Sequence, residues 1–398
     1  MEEHPAPEDA LMVKLVRWLL PSLLAAATLP VPAGAADVKV GFGNSVTGPE
    51  APIGEALTNG VNLALDDLKK KGINVTLVRQ DDTGKPQVAM TALEQLATGD
   101  EVSAVVGPYA SAPANAMAKL AQQYKVPLLV PVASKEEITR MGYDWVFRLN
   151  APAHSYAQDL IDAALAFGKP KSIAFIYEST DFGTSVASIG KDYAAKKGLK
   201  VVADESYQKG APDYRSTLTS IRAKNPDLVF MVSYVTDAVL LMRQSREVGL
   251  KPMAFLGGGA GFDTSQFQSE RDISNHVFCV TQWTPDSGNP GAADFALRYQ
   301  ARFGKRPTYH AATAYEAMMI MGDVVSKAGG DRKKIREALA TGSWTGIMGP
   351  VKFETFEGFT NQNKHPMEVI QYQNGKVVTV FPPQLAKGKP VWPFPGFK

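Results

Sequence analysis

The chain has 398 residues, a formal net charge of +2 and an apolar content of 45%, which is ordinary for a globular protein. A nearly neutral charge without a basic run gives no indication of a nucleic-acid partner or of binding to an anionic membrane surface. Cys279 is the only cysteine, so an intramolecular disulfide is excluded. Because Cys279 lies in an apolar run, we predict a buried small side chain rather than a catalytic thiol.

Residues 1–36 have the pattern of an N-terminal extension followed by a cleavable signal peptide. Basic Lys14 and Arg17 precede a mostly apolar stretch, residues 18–29, and a small-residue segment, residues 33–36, follows. The apolar stretch is shorter than the roughly 20 residues that a membrane-spanning helix needs. We therefore predict export.

The expected cleavage site lies near Ala35 or Ala36, and the start residue is either Met1 or Met12. Lipid anchoring would require a cysteine directly after the signal, and none is present there. The mature chain is therefore predicted to be a soluble, exported protein of two domains.

After the signal, strands alternate with amphipathic helices. The first series of predicted elements comprises strand Val38–Phe42, a helix ending at Gly72, strand Asn74–Arg79, helix Gln87–Ala97, strand Val102–Val106, helix Pro113–Tyr124 and strand Pro127–Val132. A second series comprises strand Ser172–Tyr177, helix Phe182–Lys197, strand Lys200–Asp204, helix Tyr214–Lys224 and strands Asp227–Ser233 and Met253–Leu256. Such alternation indicates βαβ units and parallel sheets, hence an α/β fold.

The last third adds strand Val277–Thr281, helices Ala292–Phe303 and Tyr309–Val325, and two strands around Asn374-Gly375. Asn-Gly between two apolar strands predicts a tight hairpin. The methionines of the second helix are expected to fill the core.

Two strands run directly into serines that open helices: Val102–Gly107 leads to Ser111, and Val126–Val132 leads to Ser134. Ligands of open α/β sheets bind beyond the carboxyl ends of the strands, and helix N-termini attract anions. This pattern predicts a site for a small anionic or polar ligand. A capping role is the alternative for both serines, since Ser134 with Glu137 also fits a capping box and Ser111 precedes Pro113 at a helix start.

No catalytic constellation is visible in the sequence. The glycine clusters at 41–43 and 257–261 miss the spacing of a phosphate-binding loop, and no Gly-x-Ser-x-Gly elbow is present. The histidines stand singly, without the spacing of a metal site. We therefore predict no enzymatic activity, no cofactor and no metal.

Residues 37–382 resemble the type I periplasmic solute-binding proteins of ABC importers, in particular the branched-chain amino acid (Leu/Ile/Val) receptors. The segments that carry the resemblance are Lys39–Phe42 with Thr47-Gly48-Pro49, Val106-Gly107 with Ser111, Pro131–Ser134, Phe147-Arg148, Tyr177 with Asp181–Gly183, and Tyr234 with Leu241–Gly249.

The resemblance implies two Rossmann-like, doubly wound parallel-sheet lobes joined by a three-strand hinge. The crossings are expected near residues 150–152, 283–285 and 349–351. This gives an N-lobe of residues 37–151 plus 284–349, a C-lobe of residues 152–283 plus 350–382, and a C-terminal tail of residues 383–398. The resemblance also implies a monomer that a membrane permease recognises in its closed form.

Ligand contacts are carried over by position. Ser111, Ala133 and Ser134 correspond to the groups that hold the ligand carboxylate and amino group, and Phe182 and Tyr234 correspond to aromatic walls of the second lobe. Tyr109 is a further wall residue, and Trp283 is an additional candidate.

Two positions depart from the leucine receptors. Gly259 stands where they carry an acidic residue for the ligand ammonium, and Ile53 stands where they carry an aromatic side chain. An enclosed ammonium without a partner costs several kcal/mol, so an amino acid is expected to bind poorly unless Asp181, Asp237 or Glu178 substitutes. On this basis, glycine widens the cavity, and Gly259→Glu is expected to raise amino acid affinity.

The sequence thus predicts a periplasmic receptor for a small carboxylate, either a hydrophobic amino acid or an aromatic or aliphatic acid. The alternative is a ligand-sensing regulator of the same fold, of the amide-sensor type, against which the export signal argues.

Overall fold

The computed structural model describes Met1 and residues 38–397, so the predicted signal and its cleavage site lie outside the described residues. The strands are β1 (Val38–Asn44), β2 (Val75–Asp81), β3 (Ala104–Val106), β4 (Leu128–Val130), β5 (Val146–Arg148), β6 (Ser172–Glu178), β7 (Lys200–Tyr207), β8 (Leu228–Val232), β9 (Ala254–Gly257), β10 (Phe278–Thr281), β11 (Ser343–Gly346), β12 (Gly349–Phe356), β13 (Phe359–Asn363), β14 (Glu368–Gln373) and β15 (Lys376–Phe381).

The helices are α1 (Ala51–Lys70), α2 (Pro86–Glu94), α3 (Ser111–Tyr124), α4 (Glu137–Arg140), α5 (Ala153–Phe167), α6 (Asp181–Lys196), α7 (Arg215–Ala223), α8 (Val235–Glu247), α9 (Ser265–Ser269), α10 (Arg271–Ser274), α11 (Ala292–Phe303), α12 (Tyr309–Ala328) and α13 (Arg332–Thr341), with a π-helical turn at Gln95–Gly99 after α2. None of the helices within the described residues has the length and apolar character that crossing a bilayer requires.

The strands form two sheets, each the centre of one lobe. The first sheet has the order β11-β12-β13-β5-β4-β3-β1-β2, and the second has the order β15-β14-β10-β9-β8-β6-β7. Six consecutive strands run parallel in the first sheet, from β13 to β2, and five in the second, from β10 to β7. Antiparallel strands extend one edge of each sheet. The predicted α/β class with two doubly wound lobes is confirmed.

In both sheets the strand order reverses beside the first strand of the lobe, between β1 and β3 and between β6 and β8. Such switch points open a crevice at the carboxyl ends of the strands. The central strands are fully buried apolar segments, as in β3, β4 and β8, because helices cover both faces of a parallel sheet.

The chain passes between the sheets three times, and the third passage differs from the sequence expectation. It leaves the first sheet after β5, returns after β10 to helices that pack on α1, and crosses again between β13 and β14. The resemblance predicts that residues 350–382 lie together in the second lobe. β12 and β13 instead belong to the first sheet, because β13 pairs with β5 at Gln362 and Arg148, so the third crossing lies at residues 364–367 rather than 349–351.

Side-chain amides tie the crossing segments together. Gln362 Nε2 donates to the Asn150 carbonyl at 2.7 Å, and the Ala151 amide donates to Gln282 Oε1 at 2.9 Å. His365 Nε2 lies 2.6 Å from the Gln282 carbonyl oxygen. The three crossings therefore form one hydrogen-bonded unit.

Several smaller predictions are also confirmed. Asn374 and Gly375 have φ values of 52° and 77° in the hairpin between β14 and β15. Cys279 is buried, as are Met318 and Met321 of α12. In the tail, Trp392 packs against Phe278 in the second lobe, with ring centroids 5.9 Å apart.

Candidate functional site

A small cavity of about 10 Å³ lies where the carboxyl ends of the two sheets face each other. Its lining residues follow β3, β4, β8 and β9 or lie at the starts of α5, α6 and α12, and every one of them is buried. They are Tyr109, Ser111, Val132, Ala133, Ser134, Tyr156, Phe182, Tyr234, Ala260 and Tyr309. Ten residues from two lobes thus enclose one spot, as expected for a switch-point crevice.

The two serines predicted from the strand ends meet here. Ser111 Oγ accepts hydrogen bonds from the Ser134 and Lys135 amides, each at 3.3 Å. The N-cap positions of α3 and α4 are Ala110 and Glu136, and within the described chain neither helix has a side-chain cap. In the structure, therefore, neither serine caps its own helix.

The first turn of α3 adds backbone donors to this side of the cavity. The Ser111 and Ala112 amides have no intrahelical partner, whereas Pro113 has no N–H and the Ala114 amide donates to the Ala110 carbonyl at 3.0 Å. Amides at the start of a 14-residue helix, together with the helix dipole, favour a negative group. This side of the cavity is suited to a carboxylate.

Aromatic rings form most of the remaining wall. Phe182 and Tyr234 stack with centroids 5.5 Å apart, and Tyr109 packs on Tyr234 at 5.6 Å. Phe182 also meets the edge of Tyr156 at 6.2 Å. Stacked rings of this kind fit a flat, apolar ligand body.

Tyr156 and Tyr309 were not found from the sequence. Tyr156 lies in α5, directly after the first crossing, and Tyr309 is the first residue of α12. The Tyr156 hydroxyl accepts hydrogen bonds from Gln282 Nε2 at 2.8 Å and Asn150 Nδ2 at 3.0 Å. The lobe crossing just before α5 is a signal that could have indicated Tyr156, whereas Tyr309 opens α12 with all of α11 between it and the second crossing and has no comparable local signal.

Gly259 borders the cavity in a way that overturns one expectation. Its φ is +106°, and a Cβ atom placed there would lie 2.5 Å from Tyr156 Cδ1. Tyr156 therefore fills the space that the missing side chain was expected to open. A glutamate at position 259 would have to displace the Tyr156 ring, and the effect of Gly259→Glu on amino acid affinity stays a prediction.

Two predicted wall residues lie elsewhere in the described structure. Trp283 packs edge-on against Phe295, with centroids 5.6 Å apart, in the hydrophobic core. Ile53 lines a separate groove of about 470 Å³ with Val235 and Thr308. Neither lines the cavity, because the rings of Tyr109 and Tyr309 occupy the first-lobe side.

Charged groups surround the cavity but do not line it within the described residues. Glu50 of the first lobe pairs with Lys209 of the second, and Lys135 pairs with Asp181 across the lobes at 2.7 Å. Lys209 also lies 5.4 Å from the centroid of the Tyr234 ring. These pairs hold the two lobes together on both sides of the cavity.

The three carboxylates considered as ammonium partners are engaged with the protein. Asp181 pairs with Lys135, and Asp237 accepts the Gly210 amide at 3.0 Å. Glu178 accepts the Tyr234 amide at 3.2 Å and the Thr180 hydroxyl at 2.6 Å. Burial raises the pKa of Glu178 to about 8, so this carboxyl is mostly protonated at neutral pH.

Within the described residues, no cluster of three or more histidine, cysteine, aspartate or glutamate side chains is arranged to hold a metal ion. The chemistry of the cavity is therefore that of hydroxyls, backbone amides and aromatic rings.

Comparison with known proteins agrees with this architecture. A family model described as periplasmic binding protein matches residues 37–376. A Leu/Ile/Val-binding protein homologue of Brucella melitensis is 32% identical over 377 residues, covering 90% of this chain and 93% of the relative.

Two solved structures share the fold. The branched-chain amino acid transporter substrate-binding protein of Streptococcus pneumoniae, in complex with isoleucine, has a TM-score of 0.79 at 23% identity, covering 87% of this chain and 100% of that one. A solute-binding protein of an ABC transporter from Rhodopseudomonas palustris, in complex with 3,4-dihydroxybenzoic acid, has a TM-score of 0.77 at 21% identity, covering 89% and 98%. The chain belongs to the periplasmic binding protein family, among the type I binding proteins of branched-chain amino acid ABC transporters.

Proposed function

We propose that this protein captures a small aromatic carboxylate between its lobes and delivers it to the permease of an ABC importer. The observation that carries the proposal is the composition of the cavity wall: two serine hydroxyls, five aromatic rings and, within the described chain, no charged side chain.

The two ends of a zwitterionic ligand would be treated unequally. A carboxylate can be held by Ser111, Ser134 and the first amides of α3, because neutral donors and a helix dipole stabilise an anion. An enclosed ammonium would need an ionised partner and otherwise costs several kcal/mol. Glu50 is already paired with Lys209, and the raised pKa of Glu178 leaves it mostly neutral.

The aromatic wall supports a flat ligand body. Phe182 and Tyr234 are parallel within 29°, an arrangement that can accommodate a ring edge or face once the lobes separate. A cavity of about 10 Å³ admits no organic acid as it stands, so we infer that the ligand enters an open form and that closure follows.

We also propose that the protein is exported with its signal removed near Ala35 or Ala36, acts as a monomer and has no catalytic turnover. Membership of a periplasmic receptor family supports these statements. Mass spectrometry of the exported protein tests the cleavage site, and incubation with the bound acid tests for product.

The function is tested by titration calorimetry with benzoate, benzamide, phenylalanine and leucine, using protein that was purified without a refolding step. Benzoate is expected to bind at least about tenfold more tightly than benzamide, because a hydrogen bond to a charged group contributes about 1.5–3 kcal/mol. The amino acids are expected to bind more weakly than benzoate.

The matched variants are Ser111→Ala, in the cavity, and Ser326→Ala, on the surface of α12. Only the first is expected to weaken benzoate binding. A preference for leucine over benzoate would favour the amino acid instead, and a folded protein that binds neither acid would contradict the proposal.

A further inference from the structure

The Tyr109 hydroxyl is the unsatisfied polar group of the cavity. Tyr109 is 2% exposed, and its hydroxyl has no hydrogen-bond partner among residues 38–397. The other tyrosines have polar neighbours: Asn150 and Gln282 for Tyr156, the Ser111 amide for Tyr234, and Tyr156 for Tyr309. Buried polar groups without partners are rare in proteins because each costs about 1–3 kcal/mol.

A second polar atom lacking a partner in the described structure lies directly behind Tyr109. The His310 ring meets the Tyr109 ring edge-on, with centroids 5.6 Å apart. Its Nδ1 lies 3.1 Å from Thr308 Oγ1, while its Nε2 has no partner within the described chain. Burial lowers the pKa of His310 to about 3, so the imidazole is neutral and Nε2 is either a donor or an acceptor.

The surroundings of Tyr109 disfavour a charged ligand group at this end. Burial, followed by the nearby carboxyls of Glu50 and Glu178, raises the pKa of Tyr109 well above its usual value, so the hydroxyl stays protonated and can donate. A ligand carboxylate at this buried end would lose its hydration without gaining a charged partner. A cationic ligand group would gain little from Glu50, because Lys209 already neutralises that carboxylate. A hydroxyl is neutral and can both donate and accept, which suits Tyr109 and either tautomer of His310.

We propose that Tyr109, positioned by His310, recognises a ring hydroxyl of the bound acid, so the ligand class is a hydroxylated aromatic carboxylate. This inference rests on the proposed function, in which the carboxylate occupies the serine side of the same cavity. Discrimination arises because an acid without the hydroxyl leaves the Tyr109 group buried and unpaired.

The test is calorimetric titration of the full mature protein with benzoate, 3-hydroxybenzoate, 4-hydroxybenzoate and 3,4-dihydroxybenzoate. At least one hydroxylated acid is expected to bind about tenfold or more tightly than benzoate, as one buried hydrogen bond predicts. Tyr109→Phe keeps the ring and is expected to reduce this advantage to about twofold, so that the hydroxylated acid loses more affinity than benzoate. His310→Phe is expected to reduce the affinity advantage of the hydroxylated acid over benzoate only in part.

Tyr372→Phe is the matched control, since its hydroxyl donates to the Phe262 carbonyl at 2.7 Å in the second lobe and lies outside the cavity. It is expected to lower the melting temperature without changing the ratio of affinities. Equal binding of benzoate and all hydroxylated acids by the wild type would overturn the inference and leave the proposed function intact. An equal loss for benzoate and hydroxylated acids in Tyr109→Phe would also overturn it, whereas a folded wild type that binds no aromatic acid would overturn both.

Discussion

The two lobes give the cavity different chemistry. The first lobe contributes Ser111 and Ser134, which are already linked through Ser111 Oγ and the Ser134 amide. The second lobe contributes the rings of Tyr156, Phe182 and Tyr234. Under the proposed function, the two first-lobe serines would hold the charged head of the ligand, while the three second-lobe rings would contact its body and complete the site on closure.

The largest expected effect concerns the second-lobe wall. Gly259→Ala should lower the free energy of unfolding by about 3–5 kcal/mol, because a left-handed backbone and overlap with Tyr156 each cost about 1–3 kcal/mol. Gly288→Ala is the matched control, since Gly288 has φ +84° and open space around it. It should lose only about 1–2 kcal/mol. Equal losses in urea denaturation would show that Tyr156 does not constrain this position.

The next prediction concerns the pair that joins the lobes. Lys209→Met leaves the buried Glu50 carboxylate unpaired in the closed form, and the affinity for the acid should fall about 30- to 100-fold, equivalent to about 2–3 kcal/mol. Adding Glu50→Gln to this variant should recover part of the loss. Calorimetry with the tightest-binding acid measures both.

Lys305→Met provides the control for closure. Lys305 pairs with Glu55 within the first lobe, and both side chains are about half exposed. The affinity should change less than about fivefold, because exposed pairs contribute at most about 1 kcal/mol. If the two lysine variants lose affinity equally, the pair between Glu50 and Lys209 has no special role in closure.

The last prediction tests the neutrality of the second-lobe side. The folded-state pKa of Glu178 is raised from 4.5 to about 8, so its contribution to stability is fully present below pH 4.5 and is lost as the pH rises through 8. Relative to Glu178→Gln, the wild type should therefore lose unfolding free energy across this range, by up to about 1.4 kcal/mol per pH unit.

Denaturation series across that pH range measure the difference. Glu337→Gln on the exposed face of α13 should follow the wild type throughout. A wild type whose stability relative to Glu178→Gln is independent of pH would show that Glu178 is ionised in the folded protein.

Much of the fold and half of the site could be predicted from the sequence. Strand-to-serine transitions are local patterns, so the meeting of Ser111 and Ser134 follows from parallel-sheet geometry. The assignment of residues 350–363 failed because β12 and β13 join the first sheet through a pairing with β5 about 200 residues earlier. No local pattern contains such a partner.

The second-lobe wall was harder to predict, because it too depends on contacts between residues far apart in the sequence. Glycine at position 259, where the leucine receptors carry an acidic residue, indicated extra space in the cavity. Tyr156, from a helix about 100 residues earlier, occupies that space. Similarly, the Tyr109 hydroxyl is recognised as unpaired only when all of its described neighbours are known. Polar satisfaction is a property of the packed structure.

The central claim is tested most directly by a crystal structure of the protein with the tightest-binding aromatic acid. The account predicts carboxylate oxygens within about 3 Å of the Ser111 and Ser134 hydroxyls or the first amides of α3, with the ring against Phe182 and Tyr234. A reversed acid, with its carboxylate on Lys209 and its ring against the serines, would contradict the division of roles between the lobes.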